Sequence, residues 1–400
     1  MAVEPLILAA DPGSASRKYA LFNKKYQLVA SLHFEFENGL IVCSVKSEKI
    51  NTKLNLNFNS LEEAPKHIEQ ILKGFGVFNE AELVCIGLRT VAPTSYFLQD
   101  RLLDEKTEKA LESLELRVPL HIKATLQEAK CLKESFKTTP IVLVSDSAFH
   151  ITKPDYALNY AIPLEDADKY EIKRFGYHGI SVASIVRDLA DGNMLPDKLV
   201  VCHLGSGASI TAVNCGQSVD NTMGYTPLEG VMMSTRTGNI DVGAVLAIKK
   251  QLDLSDRELE NYLNKTSGLL GVSGVSDDIR ELLELETKGD YRAGLAMSMY
   301  IYRIRQSIGQ MAASLEGTDG LVFTGTVGCR SHVVRRRIVD GLGFLGFAID
   351  DKLNEIAVEP SSPEKVNLRT RQKLIFVMTT DEQLEISRRA FKFVKAKPVL

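Results

Sequence analysis

The chain has 400 residues, 44% hydrophobic and 25% charged, with a formal net charge of −3. This length predicts two domains of ordinary size, and the composition is that of a globular protein. The charge balance gives no electrostatic case for nucleic acid, which needs a basic face, and no apolar run reaches the roughly 18 residues of a membrane-spanning helix. The start, MAVEPLILAAD, lacks the basic flank and long apolar core of a secretory signal. Six cysteines (Cys43, Cys85, Cys131, Cys202, Cys215, Cys329) and seven histidines are scattered without metal-ligand spacing. Free thiols, a cytoplasmic location and no zinc site are the expectations.

LILAADPGSASRKYALF opens the chain as strand, turn and strand, with the turn at residues 11–16. Further strands are predicted at 27–36, 41–46 and 54–58, then a helix over 60–73 that Ser60 would cap with Glu63 three residues on. LVCIG at 83–87 reads as a buried strand, 104–116 and 124–136 as helices, and 141–144 as a strand ending in Ser145-Asp146-Ser147. An acidic residue at the carboxyl end of a buried strand is a recurrent place for chemistry in α/β sheets.

Past residue 150 comes KRFGYHGI, then a helix over 181–190 and a second hairpin, LVVCHLGSGASITAV. Helices are predicted at 242–250, 256–264, 290–315 and 331–341, strands at 321–324 and 373–378, and a terminal helix at 381–395. The fold expected is α/β in two halves, 1–150 (completed by residues 385–400) and 151–384.

The two hairpins share a plan. Glycines let backbone N–H groups approach an anion, and the small hydroxyl residues Ser14, Ser16 and Ser206 add donors without bulk. Their pairing points to two related domains with a phosphate-binding cleft between them. Arg89 follows LVCIG, where a surface salt bridge is the plain alternative; Asp146 follows VLVS, where a helix cap is. His178 lies between Gly176 and Gly179, an unusual setting for a core histidine, whereas His203 reads as a structural partner of its hairpin. Arg236 stands among the small residues of STRTGN, and Asp278 opens a helix, where an acid is expected as a cap. Together these residues suit phosphoryl transfer, which needs cations on the transferred group and carboxylates to hold a divalent metal. No GxxxxGK[ST] and no protein-kinase signature is present.

The segments VLVSDSAFH, FGYHGIS, CHLGSGASI, SVDNTMGYTPLEGVMMSTRTGNID and SGLLGVSGVSDDIR resemble those of the acetate and propionate kinase family, of the sugar-kinase/heat-shock-70/actin superfamily. The resemblance runs over nearly the whole length. It implies two ribonuclease-H-like domains with the active site between them, a homodimer, and direct in-line transfer from the γ-phosphate of ATP to acetate or a similar short-chain acid, with Mg²⁺ or Mn²⁺. Carried over residue by residue, Arg89 and Arg236 would bind the carboxylate and the moving phosphoryl group, and His178 would stabilise the transition state. Asp146 would place metal and substrate, and Asp11 and Glu382 would stand at the metal. Ser14, Ser16, Lys18, His203, Gly205 and Gly207 match the phosphate hairpins. Asp278, Ile279, Arg280, Gly325, Thr326 and Gly328 match the nucleotide side. Val91, Leu120, Tyr177 and Pro227 would wall an apolar pocket.

The departures from the family are local. Asp11 stands where the family has Asn, and LRTVAPTS replaces HRVVHGGE. PLHIKAT replaces PLHNPAN and would put Ile122 and Lys123 at the pocket entrance. Tyr177 replaces Phe and brings a hydroxyl to the pocket. FTGTVGCRS replaces FTGGIGEN, so Thr326 and Arg330 would crowd the adenine and leave pyrophosphate open as donor. A methylene in an apolar pocket is worth only about 1–3 kcal/mol, which leaves acetate against propionate open. A homologue that binds without turnover is the alternative from another class.

Overall fold

The computed structural model describes residues 5–396 except 14–15, 38, 59, 79–81, 116–118 and 371–372; at 119–121 it describes the backbone alone. The chain divides into two units, Met1–Ala148 with Asp381–Leu400, and Phe149–Thr380.

The first unit is built on an eight-stranded sheet of β1 (Leu6–Pro12), β2 (Ser16–Asn23), β3 (Leu28–Glu37), β4 (Leu40–Ser47), β5 (Asn51–Leu56), β6 (Leu83–Thr90), β7 (Arg101–Leu102) and β8 (Ile141–Ser145). Its order is β5-β4-β3-β2-β1-β6-β8-β7. The strands β1 to β5 form an antiparallel meander, whereas β6 joins β1 and β8 joins β6 in parallel. The parallel strands read as unbroken apolar runs because both faces are covered. Helix Pro119–Ser135 lies on one face and helix Glu382–Ala396 on the other, packed on β1, β6 and β8. Gly87 marks that second contact: a Cβ there would lie 2.7 Å from Ile386 Cγ2 and 3.0 Å from the Ile386 carbonyl. The polar edge strand β5 alternates exposed and half-buried residues, as its NTKLNL sequence requires.

The second unit repeats the plan with β9 (Lys198–Leu204), β10 (Ala208–Asn214), β11 (Gln217–Asn221), β12 (Gly320–Thr324), β13 (Glu364–Lys365) and β14 (Leu374–Val377). The order is β11-β10-β9-β12-β14-β13, again an antiparallel hairpin continued by parallel strands. The 24-residue helix Tyr291–Ser314 packs on β9, β10 and β11 through Ala296, Tyr300, Ile304 and Ile308, at helical spacing. Helix starts follow the sequence signals: Ser255 and Glu258 form a complete capping box, and Asp241, Asp278, Asp290 and Ser331 each accept a hydrogen bond in their own first turn.

Three local expectations are corrected. The helix over 60–73 is a 3₁₀ segment, Leu61–His67, followed by an α-helix, Ile68–Gly74. Pro65 has no N–H for a regular helix, and Ser60 caps Glu62 rather than forming a box with Glu63. The helix expected over 124–136 begins at Pro119, and Ile122 lies in the core, so Ile122 does not stand at a pocket entrance. The short strands β7, β11 and β13 were not expected; each is an edge or hairpin partner whose pairing comes from the neighbouring strand. Among the described residues no helix is long and apolar enough to cross a membrane. All six cysteines are free, and five are buried.

Candidate active site

In the first unit three adjacent parallel strands, β1, β6 and β8, end together, and each delivers a charged residue there. Arg89 near the end of β6 donates from Nη1 to Asp11 Oδ1 at 3.1 Å and from Nη2 to Asp146 Oδ2 at 3.3 Å. Burial opposes the charge of Arg89, but Asp146, Asp11 and Glu382 more than offset it and hold the guanidinium firmly protonated. Glu382 opens the helix Glu382–Ala396. Burial pushes its carboxyl above the usual range; Arg89 pulls it back, while Asp11 and Asp146 push it further up. Two cations, Arg89 and the more distant Lys18, among three carboxyl groups leave a set that favours a further positive charge.

The end of β8 is braced by residues that sequence reasoning did not single out. Arg389 donates from Nε to Asp100 Oδ2 at 3.0 Å and from Nη2 to the Ser145 carbonyl at 3.0 Å. Asp100 also accepts from the Ser145 backbone N–H at 2.9 Å. The Asp146 N–H donates to the Thr90 carbonyl at 2.9 Å, which ties the ends of β6 and β8. Lys18 is exposed opposite Asp11 in the β1–β2 register. Ser16 begins β2, whereas Ser14 and the side chain of Leu120 lie outside the described residues.

In the second unit the hairpin of β9 and β10 turns at Gly205-Ser206-Gly207. A Cβ on Gly207 would lie 3.2 Å from His178 Nε2 and 3.4 Å from Arg236 Nη1, so imidazole and guanidinium converge on the one spot that has no side chain. His178 holds a left-handed backbone (φ 59°) at the start of helix Gly179–Asp191, an uncommon conformation for a bulky residue. Its Nδ1 is 3.0 Å from Ser209 Oγ, which orients Nε2 toward Gly207. His203 pairs through Nδ1 with Ser181 Oγ at 2.7 Å, and the two imidazoles lie 4.2 Å apart. His203 thus has the structural partner expected of it and also borders the turn, 3.9 Å from the position of a Gly205 Cβ.

His150 explains the backbone of His178. Fully buried, it binds Ser218 Oγ at 2.8 Å and the Tyr177 carbonyl at 3.0 Å. Gly176, at φ +80°, is the residue that lets the His150 ring come this close. The signal was present in SDSAFH, but nothing local distinguishes a supporting histidine from a reacting one.

Tyr177 is buried, and its hydroxyl donates to the Tyr225 carbonyl at 2.6 Å, so it is engaged by the loop that carries Pro227. Glu229 closes the same loop, bonded to both Tyr160 and Arg174. Arg236 Nη1 approaches the Pro227 carbonyl at 3.5 Å.

On the nucleotide-motif side, β12 ends in the short helix Gly325–Arg330. Gly325 has φ +76°, and a Cβ there would meet the Leu204 carbonyl at 2.6 Å, so only glycine fits between the two strand ends. Of the altered residues, Thr326 is exposed, Cys329 is buried with Sγ 3.0 Å from the Met378 carbonyl, and Arg330 pairs with Glu359 at 2.8 Å. Asp278 caps the helix Ile279–Thr287, and Arg280 folds back onto it, holding the carboxyl down at about 2.

The repeated order β3-β2-β1-β6-β8 and β11-β10-β9-β12-β14, with a glycine turn in the leading hairpin of the second unit and charged groups at strand ends, gives both units the plan of the sugar-kinase, heat-shock-70 and actin class of fold. The profile of the Acetokinase family matches residues 6–388, and the chain belongs to that family. It is 34% identical over 403 residues to the acetate kinase of Methanosarcina thermophila, covering 98% of this chain and 97% of that one. With the acetate kinase of Clostridium acetobutylicum it shares 37% over 395 residues, covering 95% and 97%. Among solved structures, a propionate kinase from Francisella tularensis superposes with a TM-score of 0.88 at 32% identity, covering 97% of this chain and 99% of that one. Porphyromonas gingivalis acetate kinase superposes with 0.86 at 29%, covering 98% and 100%.

Proposed function

We propose that this chain transfers the γ-phosphoryl group of ATP directly to acetate, giving acetyl phosphate. The observation that carries the reading is the convergence of His178 and Arg236 on Gly207, a bare patch of backbone flanked by two groups that can bind a phosphoryl oxygen. Arg236 and Arg89 neutralise the carboxylate and the moving phosphoryl group, a task suited to the paired donors of guanidinium. His178 would donate from Nε2 to the charge that develops in the transition state, in the tautomer whose Nδ1 accepts from the Ser209 hydroxyl. By the family resemblance, Tyr177, Pro227, Val91 and Leu120 would wall the acyl methyl group.

The residues present fit a magnesium ion. Among the described residues no cluster of three or more His, Cys, Asp or Glu is arranged as a metal cage. Mg²⁺ does not require one, since it takes one or two carboxylates and fills the remainder with water and phosphate oxygens. Asp11 and Glu382 would hold it, Mn²⁺ serving as well, and the ion would neutralise charge on the transferring phosphate.

Relatives named acetate kinase support acetate as the acceptor; the propionate kinase from Francisella tularensis supports propionate as the second acid to test. Pyrophosphate remains the second donor to test, because Thr326 is exposed at the start of the nucleotide turn and Arg330 is held by Glu359. A homodimer is proposed from helix Val242–Gln251, which has no buried residue and exposes Val242 and Leu246, a face a second copy would cover. Six free thiols support a reducing, cytoplasmic location.

A hydroxamate assay for acyl phosphate, run with ATP, GTP and pyrophosphate against acetate and propionate, tests the reading. Activity with ATP and acetate that disappears in Arg89→Ala and Arg236→Ala is the expected result. Pyrophosphate turnover without ATP turnover would reassign the donor, and no product with any pair would make the chain a binding protein.

A further inference from the structure

In the second unit the loop at 224–229 bonds to the segments that carry both groups converging on Gly207. The Gly224 carbonyl accepts from the Gly176 N–H at 3.3 Å, and the Tyr225 carbonyl accepts from the hydroxyl of Tyr177, the residue before His178. The Pro227 carbonyl stands 3.5 Å from Arg236 Nη1. Just past the loop, Gly230 clasps Asn239 twice: its N–H donates to Asn239 Oδ1 at 2.8 Å, and its carbonyl accepts from the Asn239 N–H at 2.8 Å. That clasp closes the stretch 230–239 in which Arg236 lies.

The loop is held at its base by a charged group that the proposed chemistry does not use. The Glu229 carboxylate accepts from Tyr160 Oη on one oxygen and from Arg174 Nη1 on the other. A Cβ on Gly224 would run into both that carboxylate and the Tyr160 hydroxyl, so the two ends of the loop meet there and only glycine fits. Tyr160 Oη also accepts from the Tyr225 N–H at 2.9 Å, and Arg174 Nη2 donates to the Asn221 carbonyl at 3.1 Å. Burial, and then Glu229, push the Tyr160 hydroxyl well above its usual range, which keeps it a donor. Side-chain exposures of 20% for Arg174 and 24% for Glu229 make theirs a half-buried pair, of modest worth to stability. Its effect is geometric: a single carboxylate ties together residues 160, 174 and both ends of the loop.

We propose that Glu229 is a positioning residue for phosphoryl transfer, holding the 224–229 loop so that His178 and Arg236 stay aimed at Gly207. The inference rests on the kinase reading above. With Tyr160 and Arg174 both on the carboxylate, the carbonyls of Gly224, Tyr225 and Pro227 are fixed points for the segments of His178 and Arg236. Without the carboxylate the base of the loop opens, and the two donors lose their common aim.

The test uses Glu229→Gln and Tyr160→Phe in the full chain, each alone and combined with Gly207→Ala. Every variant is measured for kcat of acyl phosphate formation and for its thermal melt. Glu229→Gln lowers kcat about tenfold to a hundredfold, the cost of a slight misplacement imposed from outside the chemistry, and melts close to the wild type. Tyr160→Phe, which leaves the Arg174 bond in place, lowers kcat by less and takes the place of Glu229→Gln should that variant melt early. In the Gly207→Ala background, where the new methyl has already displaced both donors, either change has little further effect. A purely structural role would lower the active fraction, and its effect would multiply with that of Gly207→Ala to within about twofold, the scatter of independent sites. Effects that multiply would overturn the inference. So would wild-type kcat in a well-folded Glu229→Gln, or in Tyr160→Phe where it stands in. If the wild type forms no acyl phosphate, the kinase reading fails separately, and calorimetric titration with inorganic phosphate decides the role of Glu229. A raised Kd at unchanged stoichiometry in Glu229→Gln then upholds it, and an unchanged Kd overturns it. A wild type that neither forms acyl phosphate nor binds phosphate overturns both.

Discussion

Gly207→Ala is the sharpest perturbation of the proposed chemistry. The new methyl would stand 3.2 Å from His178 Nε2, 3.3 Å from His178 Cε1 and 3.4 Å from Arg236 Nη1, close enough that each ring or fork must retreat by a few tenths of an ångström. Gly207 is not among the residues with positive φ, so alanine brings no backbone strain, and the fold loses no more than the roughly 1–3 kcal/mol of mild overpacking. On the proposed reading the methyl would fill the place of a phosphoryl oxygen and turn two charge-assisted donors aside. Losing one such donor costs about 2.7–4 kcal/mol in the transition state, a fall of about 10²–10³ in kcat. Gly205→Ala is the internal control. Its Cβ would be 3.4 Å from the Gly207 carbonyl, 3.9 Å from His203 Nε2 and 4.0 Å from the Thr326 N–H nitrogen, distances of ordinary contact. It should leave the melting temperature near that of the wild type and lower kcat less than Gly207→Ala does. Acyl phosphate kinetics beside a thermal melt settle the matter. A Gly207→Ala protein that keeps wild-type kcat and melting temperature would refute the convergence of His178 and Arg236 as the phosphoryl site.

Three further outcomes follow from packing and charge. Gly87→Ala puts a methyl 2.7 Å from Ile386 Cγ2 and 3.0 Å from the Ile386 carbonyl; it should destabilise the first unit by about 1–3 kcal/mol in a denaturant melt and impair activity by displacing Glu382, and an unchanged midpoint would contradict the packing. Gly309→Ala, inside helix Tyr291–Ser314 with nothing within 4 Å of the new Cβ, should raise stability by about 0.5–1 kcal/mol, as a thermal melt would read. Lys153 is buried, and burial lowers its pKa from 10.5 to about 8, with Asp220 and Glu229 opposing and Arg174 assisting. The unfolded chain therefore binds the extra proton between these values, so stability should rise with pH from about 8 to 10.5, by about 3 kcal/mol at most. Lys153→Met should flatten that limb, and an unaltered slope would exclude Lys153 as its source.

Much of the fold was legible because its signals are local. An apolar run such as IVLVS or GLVFT forms a buried strand in almost any context, and Ser255 with Glu258 marks a helix start within four residues. The expectation for Ile122 failed where local reading must fail, because a helix beginning five residues earlier turned that side chain inward. The candidate site divided the same way. His178 stood out between two glycines, whereas His150, Asp100 and Arg389 carried no local mark, and each acts on a residue far along the chain.

The sequence alone determined the two-part α/β plan, the glycine turns and the family, since each is written in contiguous residues. Tertiary structure decided the partners: Arg89 with Asp11 and Asp146, 78 and 57 positions away, His178 with Ser209, and Glu229 with Tyr160 and Arg174. Those contacts depend on which strands lie side by side, and that order follows from the burial of whole faces rather than from any one stretch of chain.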